Sequence, residues 1–288
     1  MSDQHERGHP WVTESLRQSL AELPSHWRIE LLQEVDSTSS ELMRRGHQMD
    51  YQPTVLIAQH QSAGRGRSGK QWLSGSRQSI TLSMACTLVP RDWMGLSLAC
   101  GVGVVQALES HLPPSLGATR GVGLKWPNDL WTSDARTPSK VGGLLIETQS
   151  LRSFTTASSK PSSKARFCVL GVGLNLMTPR FDGMGELSPP PIGLKELGLT
   201  LTSSTQTHEL LASIVLSLAR TLGQFEALGF APFKSEFERL DCLKGRVVHL
   251  SDARHGRALG VNDQGELLLE MGDGVHTIQA SEVSIRPE

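Results

Sequence analysis

Gln61-Ser62-Ala63-Gly64-Arg65-Gly66-Arg67-Ser68-Gly69-Lys70-Gln71-Trp72 is the stretch around which the chain is organised. Three glycines, two arginines and a lysine fall between positions 64 and 70, behind the apolar run Thr54-Val55-Leu56-Ile57-Ala58 and just ahead of a tryptophan. Glycine lets a backbone take positive φ or come close to a ligand. The planar guanidinium fork matches carboxylate and phosphate. A loop of this composition suits an anion, although taken alone it also reads as a flexible, positively charged surface loop. It satisfies G-x-G-x-x-G and G-x-x-x-x-G-K, but both phosphate-binding patterns need a strand before and a helix after. The next ordered segment is Ser79-Ile80-Thr81-Leu82-Ser83-Met84-Ala85-Cys86-Thr87-Leu88-Val89, whose polar–apolar alternation predicts a second strand. Gln71 also stands where a P-loop carries its magnesium-binding hydroxyl. Neither nucleotide pattern fits.

Upstream, Ile29–Val35 reads as a strand leading into Asp36-Ser37-Thr38-Ser39. Thr38-Ser39-Ser40-Glu41 has the form of a capping box, with Gly46 ending the helix it begins. Before that, Val12–Glu22 suits a short amphipathic helix with Thr13 as a cap. Only 35 residues precede Asp36, and below about 40 residues an independent domain seldom folds unaided. A DNA-reading N-terminal domain is therefore expected to be absent.

Downstream, Trp93–His111 carries an apolar stripe at helical spacing, closed by Pro113-Pro114. Val122-Gly123-Leu124-Lys125-Trp126 reads as a buried strand with a lysine in it. Lysine is seldom fully buried without a partner, so Lys125 is either a snorkelling edge residue or a functional one. Lys140–Glu147 and Arg166–Leu176 read as paired strands, joined by a Ser-, Thr- and Lys-rich loop over 148–165. A proline-rich irregular stretch over 178–193 precedes an amphipathic helix over 208–228. From Gly245 five short strands succeed one another, with turns at Asp263-Gln264-Gly265 and Gly272-Asp273-Gly274. Together they predict a small barrel.

The chain has 288 residues, long enough for about two domains, and its 28 Lys+Arg against 29 Asp+Glu leave a net charge of −1. No global field points to nucleic acid or membrane. No run reaches the 18 or so unbroken apolar residues of a membrane helix, and the polar start does not resemble a signal peptide. Cys86, Cys100, Cys168 and Cys242 lie far apart without a C-x-x-C pair, which fits reduced buried thiols in a cytoplasmic protein. The ten histidines show no metal-ligand spacing.

The order of Asp36–Ser39, the Gly64–Trp72 loop, Lys125-Trp126-Pro127-Asn128-Asp129-Leu130, Gly142-Gly143-Leu144-Leu145-Ile146-Glu147 and Gly171-Val172-Gly173-Leu174-Asn175 resembles the biotin protein ligases. The resemblance runs from about residue 30 to the C-terminus. It implies an α+β fold: a mixed, largely antiparallel sheet with helices, of the class II synthetase-like biotin/lipoate ligase type, plus a C-terminal SH3-like β-barrel. The expected division is an N-terminal tail and helix over 1–28, a catalytic domain over 29–242 and the barrel over 243–288. The implied reaction joins biotin and ATP into biotinyl-5′-adenylate, then passes biotin to a lysine of a biotin carboxyl carrier protein. Carried over by position, Ser37, Thr38, Ser39, Gln61, Arg65, Gly66, Arg67 and Lys125 would bind biotin. Lys125 and Arg67 would be catalytic. Gly64, Lys70, Trp72, Asn128 and Asn175 would sit near the nucleotide. Magnesium is expected with ATP, with no protein ligands assigned. Neither DNA nor membrane is an expected partner, and a homodimer is left open. Ser39 stands where the family usually has Asn, and Lys70 where it commonly has Arg. Lipoate ligation, a biotin-sensing repressor and a non-catalytic nucleotide-binding protein are the competing readings.

Overall fold

The computed structural model describes residues 14–73, 75, 78–113, 121–133, 138–151, 164–179, 189–280 and 285–287. Residues 1–13 of the predicted N-terminal tail and helix, most of the 148–165 loop and much of the 178–193 stretch lie outside these residues.

A seven-stranded sheet carries the molecule. Its strands are β1 (Arg28–Val35), β2 (Thr54–Gln61), β3 (Ser79–Leu88), β4 (Val122–Lys125), β5 (Asp129–Thr132), β6 (Lys140–Ser150) and β7 (Arg166–Asn175), in the order β1-β2-β3-β7-β6-β5-β4. Only β1 and β2 run parallel; every other neighbouring pair is antiparallel. The predicted mixed sheet is therefore present. Side chains alternate faces along a strand, and the two faces differ. On one, Val55, Ile57, Leu82, Met84, Leu170 and Val172 join the main core with α1 (Glu14–Ser19), α3 (Leu96–Glu109) and α4 (Ser204–Leu228). Each such side chain contributes about 1.5–3 kcal/mol on burial. α5 (Lys234–Leu240) packs behind β4 and α3. Among the described residues α4 is the one helix long and apolar enough to cross a membrane by length and composition. Its apolar face is spent on this core, through Leu210, Leu211, Ile214, Leu218, Leu222 and Phe225.

The opposite face decides where a ligand can go. α2 (Thr38–His47) covers one end of it, where Leu42 meets Leu56, Ala85, Phe167 and Val169 in a second apolar cluster. Further along the same face β7 offers only Gly171 and Gly173, paired with Ser83 and Thr81 of β3. Gly143, Leu145 and Glu147 continue it on β6. Large residues under the helix and small ones beyond it leave an open floor.

The second sheet comprises β8 (Val247–Leu250), β9 (His255–Val261), β10 (Leu267–Met271), β11 (Gly274–Ile278) and β12 (Ile285–Pro287), all antiparallel, in the order β11-β10-β9-β8-β12. This is the small five-stranded unit predicted from residue 245 onward. It is fixed to the β4–β5 hairpin: Trp126 Nε1 donates to the Gly265 carbonyl at 3.0 Å.

Two expectations need correction. The capping box at Thr38 is displaced by one residue: Ser37 is the cap, and its hydroxyl accepts from Ser40 N–H at 3.3 Å. The helix runs through Gly46 to His47, and the left-handed residue after it is Met49. Gly46 instead lets the helix approach Phe167, whose ring lies 2.6 Å from where a Cβ would stand. Among the loop glycines only Gly69 takes positive φ. Gly64 is there for close approach, since a Cβ would meet the Trp72 carbonyl at 2.4 Å.

Candidate active site

A cleft of about 1190 Å³ opens over the floor of small residues. Of the residues singled out from the sequence, Ser37, Thr38, Ser39, Gln61, Arg65, Gly66, Arg67, Lys70, Trp72, Lys125, Asn128 and Asn175 all line it. Gly64 does not; it closes the base of the loop, its carbonyl accepting from Trp72 N–H at 2.9 Å.

One end of the cleft is neutral and buried. The first turn of α2 points Thr38 and Ser39 inward, and β2 ends on Gln61 beside them. Thr38 N–H and the Thr38 hydroxyl both donate to Gln61 Oε1, at 2.8 and 3.1 Å. Ser83 Oγ lies 2.7 Å from Thr38 Oγ1 and 3.0 Å from Ser39 Oγ. Ser83 was not singled out from the sequence. Its only local signal is the polar phase of β3, shared by Ser79 and Thr81.

The other end is charged. β4 and β5 form a tight hairpin whose register sets Lys125 opposite Asp129, across a turn containing the cis Trp126–Pro127 peptide. Lys125 Nζ lies 3.8 Å from Asp129 Oδ2 and 5.4 Å from the centre of the Trp131 ring. Burial pulls the Lys125 ammonium down to about 8, Asp129 acting against this and Lys140, Lys70 and Arg67 reinforcing it. Lys140 Nζ donates to Asp129 Oδ1 at 2.8 Å and itself lines the cleft. It too was missed, although a lysine opening an apolar strand mirrors one closing the hairpin. Arg67 Nη1 donates to Asn128 Oδ1 at 3.2 Å, and its Nη2 donates to the Ala280 carbonyl. Burial lowers its pKa from the ordinary arginine value. The asparagines serve as braces: Asn128 Nδ2 donates to the Leu144 carbonyl at 2.8 Å, and Asn175 Nδ2 to the Lys140 carbonyl at 3.2 Å.

The loop spans the two ends. It is a small hairpin bridged at Arg65 and Gln71, with Gly66 N–H donating to the Lys70 carbonyl at 2.7 Å. Trp72 lies flat on β7, where a Cβ on Gly173 would stand 2.5 Å from its ring. Arg65 reaches from Ser40 Oγ (3.0 Å) to Glu147 Oε1 (2.5 Å), across the cleft from α2 to β6. Among the described residues no group of three or more His, Cys, Asp or Glu side chains is placed to hold a metal ion.

Known proteins share this sequence pattern and fold. Residues 32–159 match the model of the biotin/lipoate A/B protein ligase family. Over 263 residues the chain is 32% identical to the bifunctional ligase/repressor BirA of Escherichia coli, covering 90% of this chain and 74% of that one. The chain belongs to the biotin protein ligase family. The biotin–[acetyl-CoA-carboxylase] ligase of Mycobacterium tuberculosis is 29% identical over 291 residues, 98% of each chain. A solved biotin protein ligase from Aquifex aeolicus, in complex with biotin and ATP, superposes with a TM-score of 0.67 at 25% identity, over 91% of this chain and 99% of that one. The ligase fold with its small C-terminal sheet, expected from the resemblance, is thus confirmed, and the chain is a ligase.

Proposed function

We propose that the cleft activates biotin with ATP and then hands it to a lysine of a biotin carboxyl carrier protein. The observation that carries this reading is the joining, in one cleft, of a neutral hydroxyl end with a group of cations that includes Arg67, Lys70, Lys125 and Lys140. A cyclic urea suits the first, and two mutually repelling anions suit the second. In the first step a carboxylate oxygen of biotin attacks the α-phosphorus of ATP. The bond to the β-phosphate bridging oxygen breaks, and pyrophosphate leaves. Carboxylate and phosphate repel until cations offset their charge, and preorganised charge of this kind is a large contribution to such catalysis. Lys125, buried and opposite Asp129, is assigned to the carboxylate and the α-phosphate. Arg67 and Lys140 are assigned to the charge developing beside it. In the second step a neutral lysine amine of the carrier attacks the acyl carbon, AMP leaves, and the amine gives up a proton.

Magnesium accompanies ATP in this reading and would neutralise phosphate charge. Among the described residues, the carboxylates at the cleft, Asp129 and Glu147, are already paired with Lys140 and Arg65, and no group of three or more His, Cys, Asp or Glu side chains forms a cage for it. No step is assigned to it. The place of β1 at the end of the sheet, with no further strand paired to it among the described residues, supports a homodimer by strand pairing, which sedimentation would test. The free thiols of all four cysteines fit the cytoplasm. The division of the chain near residue 243 remains part of this proposal, supported by the start of the second sheet at Val247.

Exchange of labelled pyrophosphate into ATP tests the first step. It is expected with biotin and absent with lipoate. Exchange with lipoate alone would make the chain a lipoate ligase, and exchange with neither would remove the activity.

A further inference from the structure

We propose that Ser83 is a positioning residue that sets the hydrogen-bond polarity of the biotin pocket, turning Thr38 and Ser39 into acceptors and so selecting a ring that carries N–H donors. This deepens the ligase reading and rests on it. The polarity follows from counting protons. Thr38 N–H is a backbone donor, so the Gln61 atom facing it at 2.8 Å must be the carbonyl oxygen, which only accepts. The Thr38 hydroxyl, 3.1 Å from the same oxygen, therefore spends its single proton there. The 2.7 Å contact between Thr38 and Ser83 then needs the proton of Ser83. The 3.0 Å contact between Ser83 and Ser39 in turn needs the proton of Ser39. The protons run one way, Ser39 to Ser83 to Thr38 to Gln61.

All four side chains are buried, and Ser83 is wholly so. Reversing one link would leave a buried polar atom unmatched, at about 1–3 kcal/mol. Thr38 and Ser39 are left with lone pairs to offer the cleft and no protons. Ser37 is the opposite case. Its oxygen accepts from Ser40 N–H at 3.3 Å and its own proton is not spent on any of these partners. The three hydroxyls of this turn therefore offer one donor, Ser37, beside two acceptors, Thr38 and Ser39, the complement of a cyclic urea with one carbonyl and two N–H groups. In this chain Ser39, lacking the amide usual in its family, gains a defined direction from Ser83.

The test compares biotin with an isosteric cyclic carbamate in which one ring N–H is replaced by oxygen, by direct calorimetry on the full chain without ATP. The wild type is expected to prefer biotin by about 100-fold, since a site built to accept a hydrogen bond rejects an isostere without the donor. In Ser83→Ala the Ser39 proton is released and its hydroxyl can turn to donate, so the preference is expected to fall to about tenfold or less. Ser83→Thr, which keeps a hydroxyl, should restore it. Ser83→Cys, close in volume, reads the same ratio should the alanine variant not fold. KM for ATP in pyrophosphate exchange should stay within about twofold throughout, since the nucleotide end is untouched. A ratio near one in the wild type, or one unchanged in Ser83→Ala, would overturn the polarity while leaving the ligase reading standing. No binding of biotin by the wild type would overturn the ligase reading and this inference with it.

Discussion

Under α2 the cleft is lined by neutral side chains that are buried before any ligand arrives and bonded to one another through Gln61 and Ser83. Beyond the loop it is lined by cations that a carboxylate or an asparagine holds and that still reach solvent: Arg65, on Glu147, is 45% exposed and Lys140, on Asp129, 34%. Neutral hydrogen bonds in a dry pocket are short-ranged and directional, so they discriminate shape and donor pattern. Charges act over longer distances and tolerate a moving partner, but they weaken in water. Under the proposed function, recognition and reaction are thus separated along one cleft, each in the environment where its physics is strongest. Lys125 departs from this division. It belongs to the charged end and is nevertheless buried, at the cost of a pKa lowered to about 8.

That exception gives the largest expected effect. Lys125→Ala should lower adenylate formation by about 100- to 1,000-fold while circular dichroism stays native. Near-normal formation would move the chemistry away from the hairpin. Gly171→Ala attacks the neutral end. Its Cβ would stand 2.4 Å from Ser39 Oγ, turning that hydroxyl away from Ser83. KM for biotin should rise about tenfold, the value of one directional hydrogen bond, with KM for ATP unmoved. A matching rise for ATP would mean that the two ends are not separable.

A pH profile sharpens the contrast. Lys125 acts while protonated, so the rate of exchange should be full below about pH 8 and fall above it. Asp129 raises the Lys125 pKa, so Asp129→Asn should move the alkaline limb to lower pH. A limb that stays in place would exclude Lys125 as the titrating group. The smallest effect is expected at the solvent-facing loop. Lys70→Arg replaces a point charge by a fork and should slow release of the adenylate about two- to threefold, read by rapid filtration. Unchanged release would limit the loop's hold on the intermediate to Arg65 and Arg67.

The charged end was the more legible in the sequence. Lys125 stands out because a lysine inside an apolar run contradicts its surroundings, and the loop because arginines and glycines have few other reasons to alternate. Lys140, Asp129 and Ser83 escaped notice because their neighbours come from strand register: Lys125 faces Asp129 across a hairpin, and Ser83 faces Gly171 across the sheet. Such pairings are not local. The misplaced cap has a related cause. Four consecutive hydroxyl residues, Ser37 to Ser40, can each cap a helix, and the choice is made by Gln61 and Ser83 drawing Thr38 and Ser39 inward. β5 and α5 were not anticipated; at four and seven residues each takes its form from what it packs against.

Trp126, next to the central lysine, donates to the carbonyl of Gly265, and Arg67 to that of Ala280. The two ends of the cleft are therefore knit differently: the neutral pocket is closed by neighbours between residues 37 and 83, whereas the charged end leans on Gly265 and Ala280, so loosening the second sheet would disturb the charged end first.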